Sequence, residues 1–464
     1  MKEEILILPP EELKRQKGFA KKVRALINRP QSYHLVTYGC QMNVHDSENL
    51  AGMFEAMGMR EKDKKEADVI LFNTCAIREN AERKALGNII WLNQLKKQRP
   101  ELLVGVCGCM AQQEGMAQKM LKQYSFIDFA FGTGNLYQLP EIMYHTLTGG
   151  RCIEIDCPQS TLVEGMPIHR QGGHKAYVNI MYGCNNFCTY CVVPYVRGRE
   201  RSRKADDIFR QAEGLLKEGV KEITLLGQNV NSYGLDRGEQ DFAGLLSGLE
   251  KIGVPRIRFM TSHPKDLSHR LIEEFVRNKA LCPHMHLPVQ SGSNAILQAM
   301  NRRYTVETYL EKARLLREAR PDIGLTTDII VAFPGETDKD FNDTLELVKI
   351  MRYDSAFTFI YSPRAGTAAE KLPGRIDKEV ASERIQKLID LQEKITQERL
   401  QSLVGSVQDV LVDGPSARGK ALTGKSGRNI SVNFAGDKTF VGTVQEIEIT
   451  ATASNTLRGK MKGR

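Results

Sequence analysis

The nonapeptide Gly183-Cys184-Asn185-Asn186-Phe187-Cys188-Thr189-Tyr190-Cys191 constrains this chain more than any other stretch. Its three cysteines, spaced C-x3-C-x2-C, follow an apolar run from Ala176 to Met181 that reads as a strand. A loop of this length can wrap three thiolates onto one iron–sulfur cluster. A four-iron cubane held this way keeps one iron without a protein ligand, and an open metal position is where a catalytic site takes its substrate. A zinc knuckle, or three reduced structural thiols, are the competing readings of the bare spacing.

A second set of cysteines lies upstream. From Tyr33 the chain alternates short apolar runs with amphipathic ones, the pattern of a parallel α/β sheet. Strands are expected at His34–Tyr38, Ala67–Phe72, Leu102–Cys107 and Ile127–Phe131. Helices are expected at Asp46–Met57 (with Asp46 or Ser47 as cap), Glu79–Gln98, Ala111–Lys122 and Leu136–Thr146. Cys40, Cys75 and Cys109 each follow one of the first three strands, about 35 residues apart. In an open parallel sheet those carboxyl ends share one edge, where ligands bind. Three thiols can converge there and again suggest a cluster. Cys107 is the rival of Cys109, but it should point to the opposite side of the strand end. Three unrelated buried cysteines are the plain alternative.

Ahead of this domain, residues 1–32 read as a leader with a basic amphipathic helix, Glu11–Asn28, ended by Pro30. After it, residues 150–172 read as a Gly/Pro-punctuated linker in which Cys152 and Cys157 are free thiols.

From residue 173 to 402 the alternation resumes, with strands at Ala176–Met181, Glu222–Leu226, Arg256–Met260, His284–Leu287, Ile323–Ala332 and Ala356–Tyr361. Six βα repeats are too few for a closed eight-stranded barrel. A partial, curved (β/α)6 barrel with its site at the strands' carboxyl ends fits. The loops there hold Gln228 and Asn229, Ser262 and His263, Gln290 and Arg364, and Asp328 lies within the fifth strand. Arg364 could meet a carboxylate or phosphate with a bidentate fork. His263 and His286 read as structural. A long polar helix, Lys378–Ser402, leads out to residues 403–464. There, short alternating strands at Gln408–Val412, Ala417–Thr423, Ile430–Phe434 and Val441–Ile449 predict a small antiparallel β-barrel. Arg418, Lys420, Lys425, Arg428 and Lys438 lie near its turns, and a basic tail carries Arg458, Lys460, Lys462 and Arg464. Small barrels of this kind often bind RNA.

Composition narrows the setting. The chain has 464 residues, ten cysteines and a net charge of +9, with 41% hydrophobic and 26% charged residues. Its opening, Met1-Lys2-Glu3-Glu4, has no signal-peptide core, and no apolar run is long enough to span a membrane. Residence in the cytoplasm is expected, where clustered cysteines bind metal rather than form disulfides.

Taken together, these residues resemble the methylthiotransferase family of radical S-adenosylmethionine enzymes. The resemblance covers about residues 33–453. It rests on Gly39-Cys40-Gln41-Met42-Asn43, Asn73-Thr74-Cys75-Ala76-Ile77-Arg78, Gly108-Cys109-Met110-Ala111-Gln112 and the central triplet with Val192-Val193-Pro194-Tyr195-Val196-Arg197-Gly198. It implies an N-terminal domain with an auxiliary [4Fe–4S] cluster on Cys40, Cys75 and Cys109. It implies a second [4Fe–4S] cluster on Cys184, Cys188 and Cys191 in a radical S-adenosylmethionine barrel, and a C-terminal TRAM domain. Gln41-Met42-Asn43 is similar to the branch that modifies tRNA adenosine carrying an N6-isopentenyl group beside the anticodon.

The implied chemistry is radical removal of the adenine C2 hydrogen, followed by transfer of sulfur and a methyl group. Two S-adenosylmethionine molecules are used per turnover. The resemblance further implies that backbone near Tyr190 holds the S-adenosylmethionine adenine; Gln228, Asn229, Ser262, Gln290 and Asp328 are candidates for its remaining contacts by their position at the strand ends. Asn43 and Arg364 are candidate substrate contacts. The tRNA anticodon stem-loop, a flavodoxin- or ferredoxin-like electron donor and a sulfur source are the implied partners of a monomer. The sister branches act on threonylcarbamoyladenosine in tRNA or on a ribosomal protein aspartate. A non-catalytic RNA-binding iron–sulfur protein would need no S-adenosylmethionine pocket, and a simple methyltransferase leaves six clustered cysteines unexplained.

Overall fold

A computed structural model describes residues 6–26, 31–76, 79–156, 161–170, 173–417, 419 and 421–463. The chain divides into two compact units. One comprises Met1–Gln171, Met181–Asn185 and Cys191–Arg203, the other Gly172–Ile180, Asn186–Tyr190 and Lys204–Arg464.

The first unit is built on a six-stranded sheet. Its spatial order is Arg60–Glu61, Ser32–Thr37, Val69–Thr74, Leu103–Gly108, Phe129–Phe131, Cys152–Glu154. Every neighbouring pair is parallel. Val69–Thr74 is buried along its whole length, which is why its sequence is a nearly unbroken apolar run. One core cluster joins Leu50, Phe54 and Met57 to Ile142 and Met143. A second joins Ile89 and Leu92 to Met120 and Leu121. Apolar stripes of helices thus cover two faces of the sheet, the layered solution such strands require.

The N-terminal helix, Pro10–Leu26, packs on the sheet domain: Ala20 and Val23 enter the first core cluster, and Gln16 Nε2 donates to Glu141 at 2.9 Å. The segment from 150 contributes strands. Cys152–Glu154 forms the sixth strand and Thr161–Leu162 pairs with Leu6–Ile7. Strands of two or three half-exposed residues carry too short a pattern to be read. Cys152 is half-buried, while Cys157 lies outside the described residues. The helix placed at 46–57 begins at Gln41, directly after Cys40, so Asp46 and Ser47 are buried within it and cap nothing.

In the second unit, Lys175–Asn179, Glu222–Leu226 and Arg256–Phe259 form one parallel sheet, and His284–His286, Gly324–Val331 and Ser355–Ile360 another. A parallel bridge from Ile257 to Leu281 joins them, with Cys282 N donating to Ile257 O at 3.0 Å. The six strands make one open series. Ser268, Thr305 and Thr337 side chains cap the helices that follow. Along Gly324–Val331, buried Leu325, Thr327, Ile329 and Val331 alternate with part-exposed Thr326, Asp328 and Ile330.

The C-terminal strands close into a five-stranded barrel: Val407–Pro415, Leu422–Ser426, Ser431–Phe434, Thr456–Met461, Val444–Ala453. Val410, Val432, Phe434, Ile447 and Leu457 fill it. The barrel is not wholly antiparallel, because Ser431–Phe434 and Thr456–Met461 pair in parallel. That last strand lies in the stretch whose sequence reads as a basic tail. Its Lys460 meets Glu448 at 3.3 Å, and Lys462 meets Glu446 at 3.4 Å. The turn at 427–429 reaches the six-stranded series, where Arg258 donates to the Ser426 carbonyl at 2.6 Å and the Gly427 carbonyl at 2.8 Å. Arg418, Lys420 and Arg464 lie outside the described residues, and among those described no helix is long and apolar enough to cross a membrane.

Candidate functional site

Cys40, Cys75 and Cys109 follow three strands that are adjacent in the sheet and parallel, so their loops share one edge, with neighbouring strands about 4.8 Å apart. The approach is close: a Cβ built on Gly39 would stand 2.7 Å from Cys75 Cβ. Gly39 has φ +125°, a conformation that favours glycine. Cys75 and Cys109 are buried and Cys40 is partly exposed. Burial pushes the Cys109 thiol up to about 11, Arg197 opposes that rise, and Cys75 and Cys40 add to it. The three sulfurs are therefore near enough to feel one another. Cys107 faces the other way, into the core beneath the N-terminal helices.

Two asparagines lock these loops. Asn43 Nδ2 donates to Asn73 Oδ1 and to the Thr74 carbonyl, both at 3.1 Å, and Asn73 Nδ2 donates back to the Asn43 carbonyl at 2.8 Å. Asn43 is fully buried. It ties the Cys40 loop to the Cys75 loop.

The nonapeptide is divided between the two units, and each part is held within its own. In the first, Cys184 N donates to the Gly198 carbonyl at 3.1 Å. Gly183 (φ +72°) sits so close to this turn that a Cβ would stand 1.9 Å from Arg199 O. Val192 and Val196 pack with Ala76 and Cys109. In the second, Asn301 Nδ2 donates to the Phe187 carbonyl at 2.9 Å, and Thr189 N donates to the Met300 carbonyl at 3.1 Å. Phe187 itself has φ 48°, a strained backbone for a bulky residue. Arg302 Nη1 lies 3.4 Å from Cys188 Sγ, while Nη2 donates to the Pro288 carbonyl at 2.9 Å.

Among the described residues, no three Cys, His, Asp or Glu side chains are gathered tightly enough to hold a single metal ion. Thiolates on one tetrahedral zinc stand about 3.8 Å apart, given bonds near 2.3 Å. A cubane places each thiolate on its own iron and spreads them wider. Soft sulfur donors without histidine suit such a cluster.

The remaining expected contacts separate. Ser262 Oγ is buried without a hydrogen-bond partner among the described residues, as a group awaiting a ligand would be. Gln290 is buried with φ 71° and exchanges backbone bonds with Asp328 and Ile330. Asp328 Oδ2 lies 3.5 Å from His286 Nε2. Tyr190 packs edge-on against Phe333, ring centroids 6.5 Å apart. Gln228 is partly buried, and Arg364 is partly exposed in the loop after Ser355–Ile360. Asn229 is otherwise engaged: its amide donates to Asp266 at 2.7 Å and to Ser232 at 3.0 Å, and its oxygen accepts from His263 N. These bonds shape the loop after Glu222–Leu226. His263 is buried among cations, and burial first, then Arg302, holds its pKa far below the usual range.

Sequence reasoning missed Asp46, Asn73, Arg197, Asn301 and Arg302. Arg197 and Asn73 lie inside the stretches that carry the resemblance; Arg302 had no such signal.

Comparison with known proteins finds a match for each part of the chain. Residues 32–132 match the model described as uncharacterized protein family UPF0004, 178–348 the radical SAM superfamily, and 401–462 the TRAM domain. A tRNA-2-methylthio-N(6)-dimethylallyladenosine synthase of Alkaliphilus oremlandii (strain OhILAs) is 49% identical over 98% of both chains. One of the same name from Thermoanaerobacter sp. (strain X514) is 49% identical over 97% of both. Among solved structures, the radical S-adenosylmethionine methyltransferase TsrM of Kitasatospora setae matches with TM-score 0.53 at 13% identity, over 83% of this chain and 80% of that one, a likeness of fold. With two cysteine sets, a six-stranded parallel core, a closed terminal barrel and near-complete coverage by these relatives, the chain belongs to the tRNA-2-methylthio-N(6)-dimethylallyladenosine synthase family of radical SAM methylthiotransferases.

Proposed function

We propose that this enzyme converts N6-isopentenyladenosine beside the tRNA anticodon to its 2-methylthio derivative. The observation that carries this reading is the placement of Cys40, Cys75 and Cys109 on the carboxyl ends of three adjacent parallel strands, in a chain that also carries the C-x3-C-x2-C loop. Cys40, Cys75 and Cys109 hold one [4Fe–4S] cluster, and Cys184, Cys188 and Cys191 hold the other. When bound, the clusters and S-adenosylmethionine supply the electron, the hydrogen-abstracting radical, the sulfur and the methyl group that no side chain can supply.

The chain's own residues bind, orient and shield. Asn301 and Thr189 fix the loop that carries Cys188. Ser262 offers an unpartnered hydroxyl to S-adenosylmethionine, with Gln290, Asp328, Gln228 and Tyr190 around the same strand ends. Arg364 is positioned for an anionic group of cofactor or RNA. Residues 33–149 form the auxiliary-cluster module, 173–402 the radical module and 403–464 the RNA-gripping barrel. The target base must be splayed out of its loop to react. The partners are a tRNA anticodon stem-loop, a flavodoxin- or ferredoxin-like donor and a sulfur source, met by a monomer in the cytoplasm.

The test is anaerobic reconstitution followed by incubation with reductant, S-adenosylmethionine and isopentenylated stem-loop RNA, read by nucleoside mass spectrometry. A gain of one methylthio group on adenosine is expected. 5′-Deoxyadenosine with unchanged RNA would sink the substrate assignment.

A further inference from the structure

Within the first unit, one buried arginine touches the thiol set directly. Arg197 Nε donates to Cys109 Sγ at 3.3 Å, and Arg197 Nη2 donates to Asp46 Oδ2 at 2.8 Å. Both charged side chains are at most 5% exposed. Arg197 ends the short helix Val193–Arg197, which starts two residues after Cys191, and its carbonyl accepts from Arg201 Nη1 at 3.1 Å. The guanidinium is thus fixed at two of its nitrogens, and the backbone that carries it is held by Arg201. An exposed arginine would be screened by salt, but this one is not.

We propose that Arg197 is a positioning residue for the centre on Cys40, Cys75 and Cys109, setting its reduction potential through the N–H given to the Cys109 sulfur and a charge that Asp46 holds in place. This rests on the cysteine assignment above. Hydrogen bonds to cluster sulfurs and the charge around them are the protein's levers on potential. A reduced centre carries one more negative charge. A cation and a donated N–H favour the reduced form, and a carboxylate disfavours it. Removing the arginine therefore lowers the potential, whereas neutralising Asp46 raises it. A residue that only packed would not give opposite signs, since both substitutions would loosen the same contact.

The experiment uses the full-length protein, reconstituted anaerobically, with iron and sulfide counted. Dithionite titration is followed by electron paramagnetic resonance with and without S-adenosylmethionine. The component that S-adenosylmethionine does not perturb reports the centre in question. Arg197→Gln should lower its reduced-to-oxidised ratio at fixed poise at least tenfold, about 59 mV for one electron. Arg197→Lys should recover part of that shift, and Asp46→Asn should move the ratio upward. Shifts of the same sign in the Gln and Asn variants, or no shift in either, would overturn the proposal. If Arg197→Gln fails to assemble, Asp46→Asn decides alone: an upward shift supports it, and none or a downward one refutes it. A wild-type protein with no unperturbed component would overturn the cysteine assignment instead, which keeps the two failures distinct.

Discussion

Arg428, at the turn of a barrel hairpin, grips Asp354 with both arms of its fork. Nη2 lies 2.7 and 2.6 Å from the two carboxylate oxygens, and Nε lies 3.1 Å from Oδ2. Both side chains are under 10% exposed, and Arg399 Nε adds a third donor at 2.9 Å. Arg428→Ala leaves Asp354 buried with a single cation. The expected loss is about 3–5 kcal/mol for a broken buried pair, read as an earlier first transition in urea. Asp354→Ala should cost at least as much, since it strands two arginines.

Asn43 offers a test of support against contact. Asn43→Ala leaves the Asn73 amide and the Thr74 carbonyl short of partners, at about 1–3 kcal/mol per group. Iron on the first cysteine set should fall, while affinity for stem-loop RNA stays at the wild-type value. Iron assay and RNA titration of the same sample check both halves.

The two cysteine sets should fail separately. Cys75→Ala is expected to lose about half the iron, one cubane of two, and to keep reductive cleavage of S-adenosylmethionine. Cys184→Ala should abolish that cleavage. 5′-Deoxyadenosine measured by chromatography distinguishes them.

Basic residues of the barrel divide by direction. Arg428 is buried in its ion pair, and Lys425 donates to Ser431 Oγ at 2.9 Å, so neither is a free phosphate contact. Lys438 and Arg458 are exposed. Replacing each with alanine should weaken RNA binding and flatten its dependence on log salt by about 0.7–0.9 per lost phosphate contact. A binding isotherm series across salt concentrations reads the slope.

Glu48 gives a pH signature. Burial raises its carboxyl to about 7, with Arg170 opposing. Its folded pKa lies above the unfolded one, so the unfolded state ionises first as pH rises. The folded state therefore loses stability between about pH 4.5 and 7 and keeps that deficit above. Glu48→Gln should melt like wild type at pH 4 and higher than wild type at pH 8, by calorimetry.

What the sequence made legible was the part with local causes. The strand before each of Cys40, Cys75 and Cys109 is a short apolar run. Features with distant causes stayed hidden. Thr456–Met461 alternates charge with glycine and becomes a strand only because Ser431–Phe434 and Val444–Ala453 pair with it. Asp46 resembles a cap because the helix start at Gln41 carries no capping residue of its own. The donors to cysteine sulfur, Arg197 and Arg302, stand 88 and 114 residues from their partners, beyond any spacing rule.

The hairpin turn seated on Arg258 and Asp354 makes the terminal barrel a keyed joint rather than a bead on a string. A tethered domain would leave its neighbour's strands untouched. A keyed domain shares its buried ion pair with the strands it rests on, so a change at the turn is felt on both sides of the joint.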